Sequence, residues 1–347
     1  MAVGRICYGV MGDARGHLSR ALAIARELPQ HEFLFIGGSK AHILREKGYQ
    51  VKDVPILPTI IRNNRVDFAA TLAHGLMGLG RMAPAFKKVK GLIREFDPHL
   101  IISDYEFLTL KVARLMGRPC ISIDNQHLLT HCLYDPPPGQ RLNRYLTCAL
   151  IRYLFSNASR YLVTSFHTLP PANRALTEVF PPLIKQKLQE YQPRVGDHAL
   201  VYLRGNHFVR LIKQLKQSRR QFFIYGWGEN PPDGNLRFKK TSEDDFLNDL
   251  ATCNYVITNG GHSLISEALY LGKPILCHPI KFFYEQFFNA YYLKQNGLGD
   301  YSLNNACRED IIAEFETEVD QYRARIKAKN FFGNKLVAAR LDELTRG

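Results

Sequence analysis

A short apolar run, a glycine-rich turn and a segment of helical period recur in that order along this chain, and this repetition leaves few folds open. Strand patterns fall at 6–11, 32–36, 100–104, 119–123 and 161–165, with 50–54 also extended. Helical patterns fill the intervals at 18–28, 41–47, 68–96 and 107–116. Strands alternating with helices at this spacing predict parallel βαβ units in a doubly wound α/β sheet. The series restarts at 199–203, with further strands at 222–225 and 255–258. At 347 residues and 46% hydrophobic content the chain has material for two cores. The expected division is a first domain over 1–169, a proline-rich crossover over 170–197, a second domain over 198–320, and a C-terminal helix over 321–347 that returns to the first domain.

Seven scattered cysteines, with no Cys-x-x-Cys pair, predict reduced buried thiols rather than disulfides or a zinc site. No leader pattern and no apolar run of the ~20 residues a membrane helix needs is visible, so the expected location is the cytoplasm. The formal charge of +14 implies an anionic partner. Part of the excess is clustered: 136–177 contains no acidic residue but carries Arg141, Arg144, Arg152, Arg160 and Arg174. A second acid-free stretch carries Arg204, Arg210, Lys213, Lys216, Arg219 and Arg220. A solvated basic face explains each cluster as well as a lipid-facing patch does.

The densest chemistry lies at 255–293. A strand runs into Asn259-Gly260-Gly261, and a helix follows over 263–271. Backbone N–H groups at such a helix start suit a diphosphate. Glu267, one turn in, suits ribose hydroxyls, and Glu285 and Gln286 suit sugar hydroxyls. An ordinary βαβ turn explains the glycines alone. The segment as a whole resembles the nucleotide-sugar site of GT-B glycosyltransferases, two Rossmann-like domains facing a cleft, and most of all those of family 28. That family includes the N-acetylglucosaminyltransferase that makes lipid II and the galactolipid synthases. The matching residues are Gly261, Glu267, Gly272-Lys273-Pro274, Pro279, Glu285-Gln286 and Asn289-Ala290. The resemblance implies that Gly260, Gly261, His262 and Ser263 face the diphosphate, Glu267 holds the ribose, and Glu285 and Gln286 hold the sugar. Plant-type members carry a His where this chain has Asn259, and His262 sits within the turn instead. Softer donor candidates are Arg204-Gly205-Asn206 and Gly226, each after a strand, with the segment 240–246 for the base.

The first turn, Gly12-Asp13-Ala14-Arg15-Gly16-His17, is neither a dinucleotide fingerprint nor a P-loop. It resembles the Gly-x-Gly-His acceptor loop of the same family, which marks Gly12, Asp13, Gly16 and Arg20 as acceptor-side residues. His17, at a helix start, suits a general base or simply caps the turn. Asp104, at the end of a strand, could orient it; Asp124 is the competing partner, and for either carboxylate helix capping is the alternative. No Asp-x-Asp triplet occurs, so no cofactor and no obligatory metal are expected. The resemblance implies an inverting transfer of a sugar, from UDP by preference, to an acceptor hydroxyl.

The acceptor is less constrained. The segments 142–155 and 69–79 are apolar with basic residues in or beside them, which suits a lipid-linked acceptor or cell-envelope glycan and peripheral attachment to the inner face of an anionic membrane. Core helices with basic edges give the same pattern. A nucleotide-sugar 2-epimerase of the same architecture is the enzymatic alternative. A basic nucleic-acid-binding protein is the other, disfavoured because no recognition motif accompanies the charge.

Overall fold

The computed structural model describes residues 4–12, 15–55, 61–62, 65–66, 79–203, 209–240, 242–303 and 310–346. In chain order the strands are β1 (Arg5–Val10), β2 (Glu32–Gly37), β3 (Gln50–Asp53), the paired stubs β4 (Ile61–Arg62) and β5 (Arg65–Val66), β6 (Leu100–Asp104), β7 (Ile121–Asp124), β8 (Arg160–Thr164) and β9 (Thr177–Phe180). They continue as β10 (His198–Tyr202), β11 (Gln221–Tyr225), β12 (Leu236–Lys239), β13 (Val256–Thr258), β14 (Ile275–Cys277) and β15 (Gly299–Tyr301). Two compact units result. The first comprises 1–60, 67–185 and 332–347, the second 61–66 and 186–331.

The first unit is built on the seven-stranded sheet β3-β2-β1-β6-β7-β8-β9, parallel throughout. Its central strands read as unbroken apolar runs because both faces are covered. Ile6, Tyr8, Val10, Phe35 and Ile102 point into one core, beneath helices Arg15–Glu27 and Asn334–Arg346. The alternate residues Cys7, Leu34, Ile36 and Ile101 point into the other, beneath Leu79–Phe96 and Phe107–Leu115. Strand order reverses between β1 and β6, and in such sheets ligands bind beyond the strand C-termini at the reversal.

The second unit repeats this logic on six parallel strands, β12-β11-β10-β13-β14-β15, with its reversal between β10 and β13. Its core joins Val201, Ile224, Ile257 and Leu276 to Ile311, Phe315 and Val319 of helix Ile311–Lys327.

Strand 161–165 was expected to close the first sheet, but β9 pairs outside it, within the proline-rich crossover. An edge strand tolerates flanking prolines because one of its sides forms no ladder. The last helix spans Asn334–Arg346, within the 321–347 expected for it, and the first residues of that stretch belong to helix Ile311–Lys327. The six described cysteines are all buried free thiols. Among the described residues no helix is long and apolar enough to cross a membrane.

Candidate active site

At the reversal of the first sheet, Val10 and Asp104 are register partners on β1 and β6, and Met11 N donates to Asp104 O at 3.1 Å. The chain leaving β1 therefore passes directly over the end of β6. Gly12 is sterically required, since a Cβ there would lie 1.7 Å from Gly38 O. Gly16 and His17 occupy the first turn of helix Arg15–Glu27, and Asp13 lies outside the described residues.

Asp104 is completely buried and collects three partners. His17 Nδ1 lies 2.7 Å from its Oδ1, Arg20 Nη2 donates to the same oxygen at 2.6 Å, and Tyr8 OH donates to Oδ2 at 3.3 Å. Arg20 Nη2 is also 2.7 Å from His17 Nδ1. One ring nitrogen cannot donate to the carboxylate and accept from the guanidinium at once, and the carboxylate has no hydrogen to give. Nδ1 therefore carries the proton and donates to Asp104, which leaves the lone pair on Nε2. No described residue bonds Nε2. Arg20 compensates the buried carboxylate. Burial works against the Arg20 charge, but Asp104 more than offsets it, and the guanidinium pKa is raised. Burial, then the Asp104 charge, push the Tyr8 hydroxyl far up, so it remains a neutral donor.

Arg20, expected among the acceptor-side residues, lies within the helix, 4% exposed, with its guanidinium on Asp104. Asp124 does not compete for His17: Oδ1 accepts from His127 N at 2.8 Å, and Oδ2 from His127 Nδ1 at 2.7 Å and Ser122 Oγ at 2.8 Å. Burial opposes the Asp124 charge, but the electrostatic attraction of His127, and then these bonds, hold its carboxyl well below the usual range. Helix capping after β6 falls to Glu106, whose carboxylate accepts from Leu108 N and Thr109 N, both at 2.7 Å, leaving Asp104 for His17.

Sequence reasoning missed Tyr8, Glu106 and Tyr105. Tyr105 sits at φ +53°, costly for a bulky side chain, and stacks at 6.1 Å on His17 and 3.9 Å on Phe155. Tyr105, Phe107, Leu108, Phe155, Met11 and Met82 line a small, largely apolar recess beside the dyad. The Asp-Tyr-Glu run after an apolar strand was the available signal.

In the second unit the glycine turn follows β13 at the sheet reversal. Gly260 has φ +92°, and a Cβ there would lie 2.8 Å from Gln286 O. Asn289 Nδ2 donates to Gly260 O at 3.1 Å, and Asn259 Nδ2 to His278 O at 3.0 Å. Gly261 caps helix His262–Tyr270, whose first internal bond runs from Ile265 N to Gly261 O, so the N–H groups of 262–264 lie ahead of the ladder. The His262 ring runs forward along the helix, with Nε2 3.4 Å from Ser266 Oγ, and Ser263 beside it is half-buried. Glu267 is buried on the same helix, and half-buried Glu285 lies in the first turn of helix Tyr284–Gln295. Gln286 was expected to hold sugar, yet its Oε1 accepts from Ile280 N at 3.0 Å and braces the loop. Gly226 ends β11 at φ +89°, exposed, beside Trp227, whose Nε1 donates to Leu203 O at 3.0 Å. Phe246 meets Tyr202 and Tyr225 edge-on rather than lying open to a base. Arg204, Gly205 and Asn206 lie outside the described residues. Among the described residues no group of three or more His, Cys, Asp or Glu side chains is placed to hold a metal ion.

Two parallel Rossmann-like units define the GT-B class of glycosyltransferase. Residues 4–319 match the model of glycosyl transferase family 1, and the chain belongs to that family. An uncharacterized glycosyltransferase of Methanosarcina mazei is 25% identical over 93% of this chain and 92% of its own length. Among solved structures, the glycotransferase of kitacinnamycin superposes with a TM-score of 0.70 at 15% identity, covering 99% of this chain and all of the other. UGT2 of Phytolacca americana, complexed with UDP-2fluoro-glucose and pterostilbene, also gives 0.70 at 15% identity, covering all of this chain and 99% of the other. The family shown is thus family 1, within the same fold class as the family 28 enzymes that the donor motif resembles.

Proposed function

We propose that this glycosyltransferase moves a sugar from a UDP-sugar to an acceptor hydroxyl with inversion and without an obligatory metal. The observation that carries the reading is the His17–Asp104 dyad, with a ring nitrogen outside its hydrogen-bond network and a carboxylate that fixes the tautomer. Nε2 takes the hydroxyl proton, the resulting alkoxide attacks the anomeric carbon, and the carbon–oxygen bond to the diphosphate breaks with its electron pair leaving on UDP. Backbone N–H groups at 262–264 and Ser263 stabilise the developing diphosphate charge, and Glu267 holds the ribose. UDP is favoured over other nucleotides by the donor-motif resemblance and by the UDP-sugar held in the Phytolacca americana relative of this fold. The acceptor is lipid-linked, at the inner face of a membrane.

A thermal-shift panel with UDP, TDP, GDP and ADP tests the donor. Ligand at about 100 times its dissociation constant adds about 2.7 kcal/mol, a shift of several degrees. UDP alone should give it, and Glu267→Ala should abolish it. Absence of a shift with every nucleotide would sink the reading. Epimerised UDP-sugar formed without any acceptor would replace transfer by epimerisation.

A further inference from the structure

Helix Arg141–Leu150 buries Cys148 and little else, then continues as a π-helical turn over Ile151–Phe155 that buries Ile151 and Phe155. Its opposite face projects Leu142 (69% exposed), Tyr145 (71%), Leu146 (40%), Leu150 (48%) and Tyr153 (80%). The spacing of three, one, four and three residues sets them in one stripe. A single exposed apolar residue needs no explanation, but five on one helical stripe do. Arg141, Arg144 and Arg152 are exposed along the same segment, and no acidic residue occurs anywhere in 136–177.

We infer that this face docks on an anionic lipid bilayer. The occupant follows from charge: an apolar stripe flanked only by cations complements a surface that offers acyl chains behind phosphates. A second copy of the chain would set this cationic face against itself. The same segment leads to the candidate active site, since Phe155 stacks on Tyr105 at 3.9 Å and Tyr105 on His17. Docking would therefore bring a hydroxyl carried on a membrane lipid toward the general base. That consequence rests on the transferase reading; the docking itself does not.

Flotation with vesicles of phosphatidylglycerol and phosphatidylcholine in equal parts, against phosphatidylcholine alone, tests the inference. Wild type should float at low salt with the anionic vesicles only. Tyr145→Ser/Leu150→Ser/Tyr153→Ser, and separately Arg141→Glu/Arg144→Glu/Arg152→Glu, should each bind on the order of a hundredfold more weakly. Titration of each preparation with UDP, followed by the fluorescence of the single tryptophan Trp227, reports the second unit independently. Failure of wild type to float, binding indifferent to both triple variants, or a dimer in light scattering that the apolar triple dissociates would each overturn docking. Unchanged UDP binding in that case leaves the transferase reading standing; vesicle binding without UDP binding does the reverse.

Discussion

Asp104 shows how much one residue holds in place. It is a buried carboxylate compensated by one guanidinium, so Asp104→Ala strands Arg20 without a counter-charge and costs about 3–5 kcal/mol. Chemical denaturation should show that loss, whereas His17→Ala should unfold near wild type. His17→Ala instead removes the proposed base: turnover of UDP-sugar should fall about 10²–10⁴-fold with little change in UDP affinity. Near-normal turnover would return His17 to a mere cap. Gly260 makes the matching case in the second unit. Ala there meets both a left-handed φ and Gln286 O at 2.8 Å, so the turn must move. Loss of the UDP thermal shift, beyond any fall in melting temperature, is the expected result; a retained shift would count against the turn as the diphosphate site.

At the scale of elements, the loops after β13 and β14 are held partly by buried neutral groups. Burial lowers His278, just after β14, to about 4. Its ordinary pKa is near 6.5, so between these values the unfolded chain takes up a proton that the folded chain refuses. This contribution is level above pH 6.5 and becomes destabilising as pH falls through the window toward 4. His278→Gln should therefore show a flatter loss of stability from pH 6.5 to 4 than wild type, measured by urea midpoints; identical slopes would remove His278 as a source. The central strands were legible because burial on both faces writes itself as an apolar run: β6 matched its pattern at both ends. β15, Gly299-Asp300-Tyr301, has neither apolar alternation nor length, and only its ladder to β14 defines it. β9 was hidden by surrounding prolines. The site was half legible for the same reason. Glycine turns after strands and polar residues at strand ends are local signals, which marked His17 and Gly260 in the first case and Asp104 in the second. The partner of Arg20 is 84 residues away along the chain, and no local pattern encodes it.

At the scale of the whole molecule, the chain closes its first unit last. Helix Asn334–Arg346 inserts Val337, Ala338 and Leu341 into the core formed by Ile6, Tyr8, Ile24 and Phe35. Asn334 is fully buried and clasps the segment before the second unit, accepting from Ile184 N and donating to Ile184 O, both at 2.8 Å. Asp342 completes the attachment by accepting from His31 Nε2 at 2.8 Å. Removing residues 332–347 would expose this apolar surface and leave both Ile184 groups unsatisfied, a loss of about 5–10 kcal/mol that matches the entire stability of an ordinary domain. The second unit loses none of its described elements by that cut. A chain ending at residue 331 should thus behave as half a protein: limited proteolysis should degrade 1–185 rapidly and leave a resistant fragment covering 186–331. A resistant first unit in that chain would show that the last helix only decorates a sheet already stable without it.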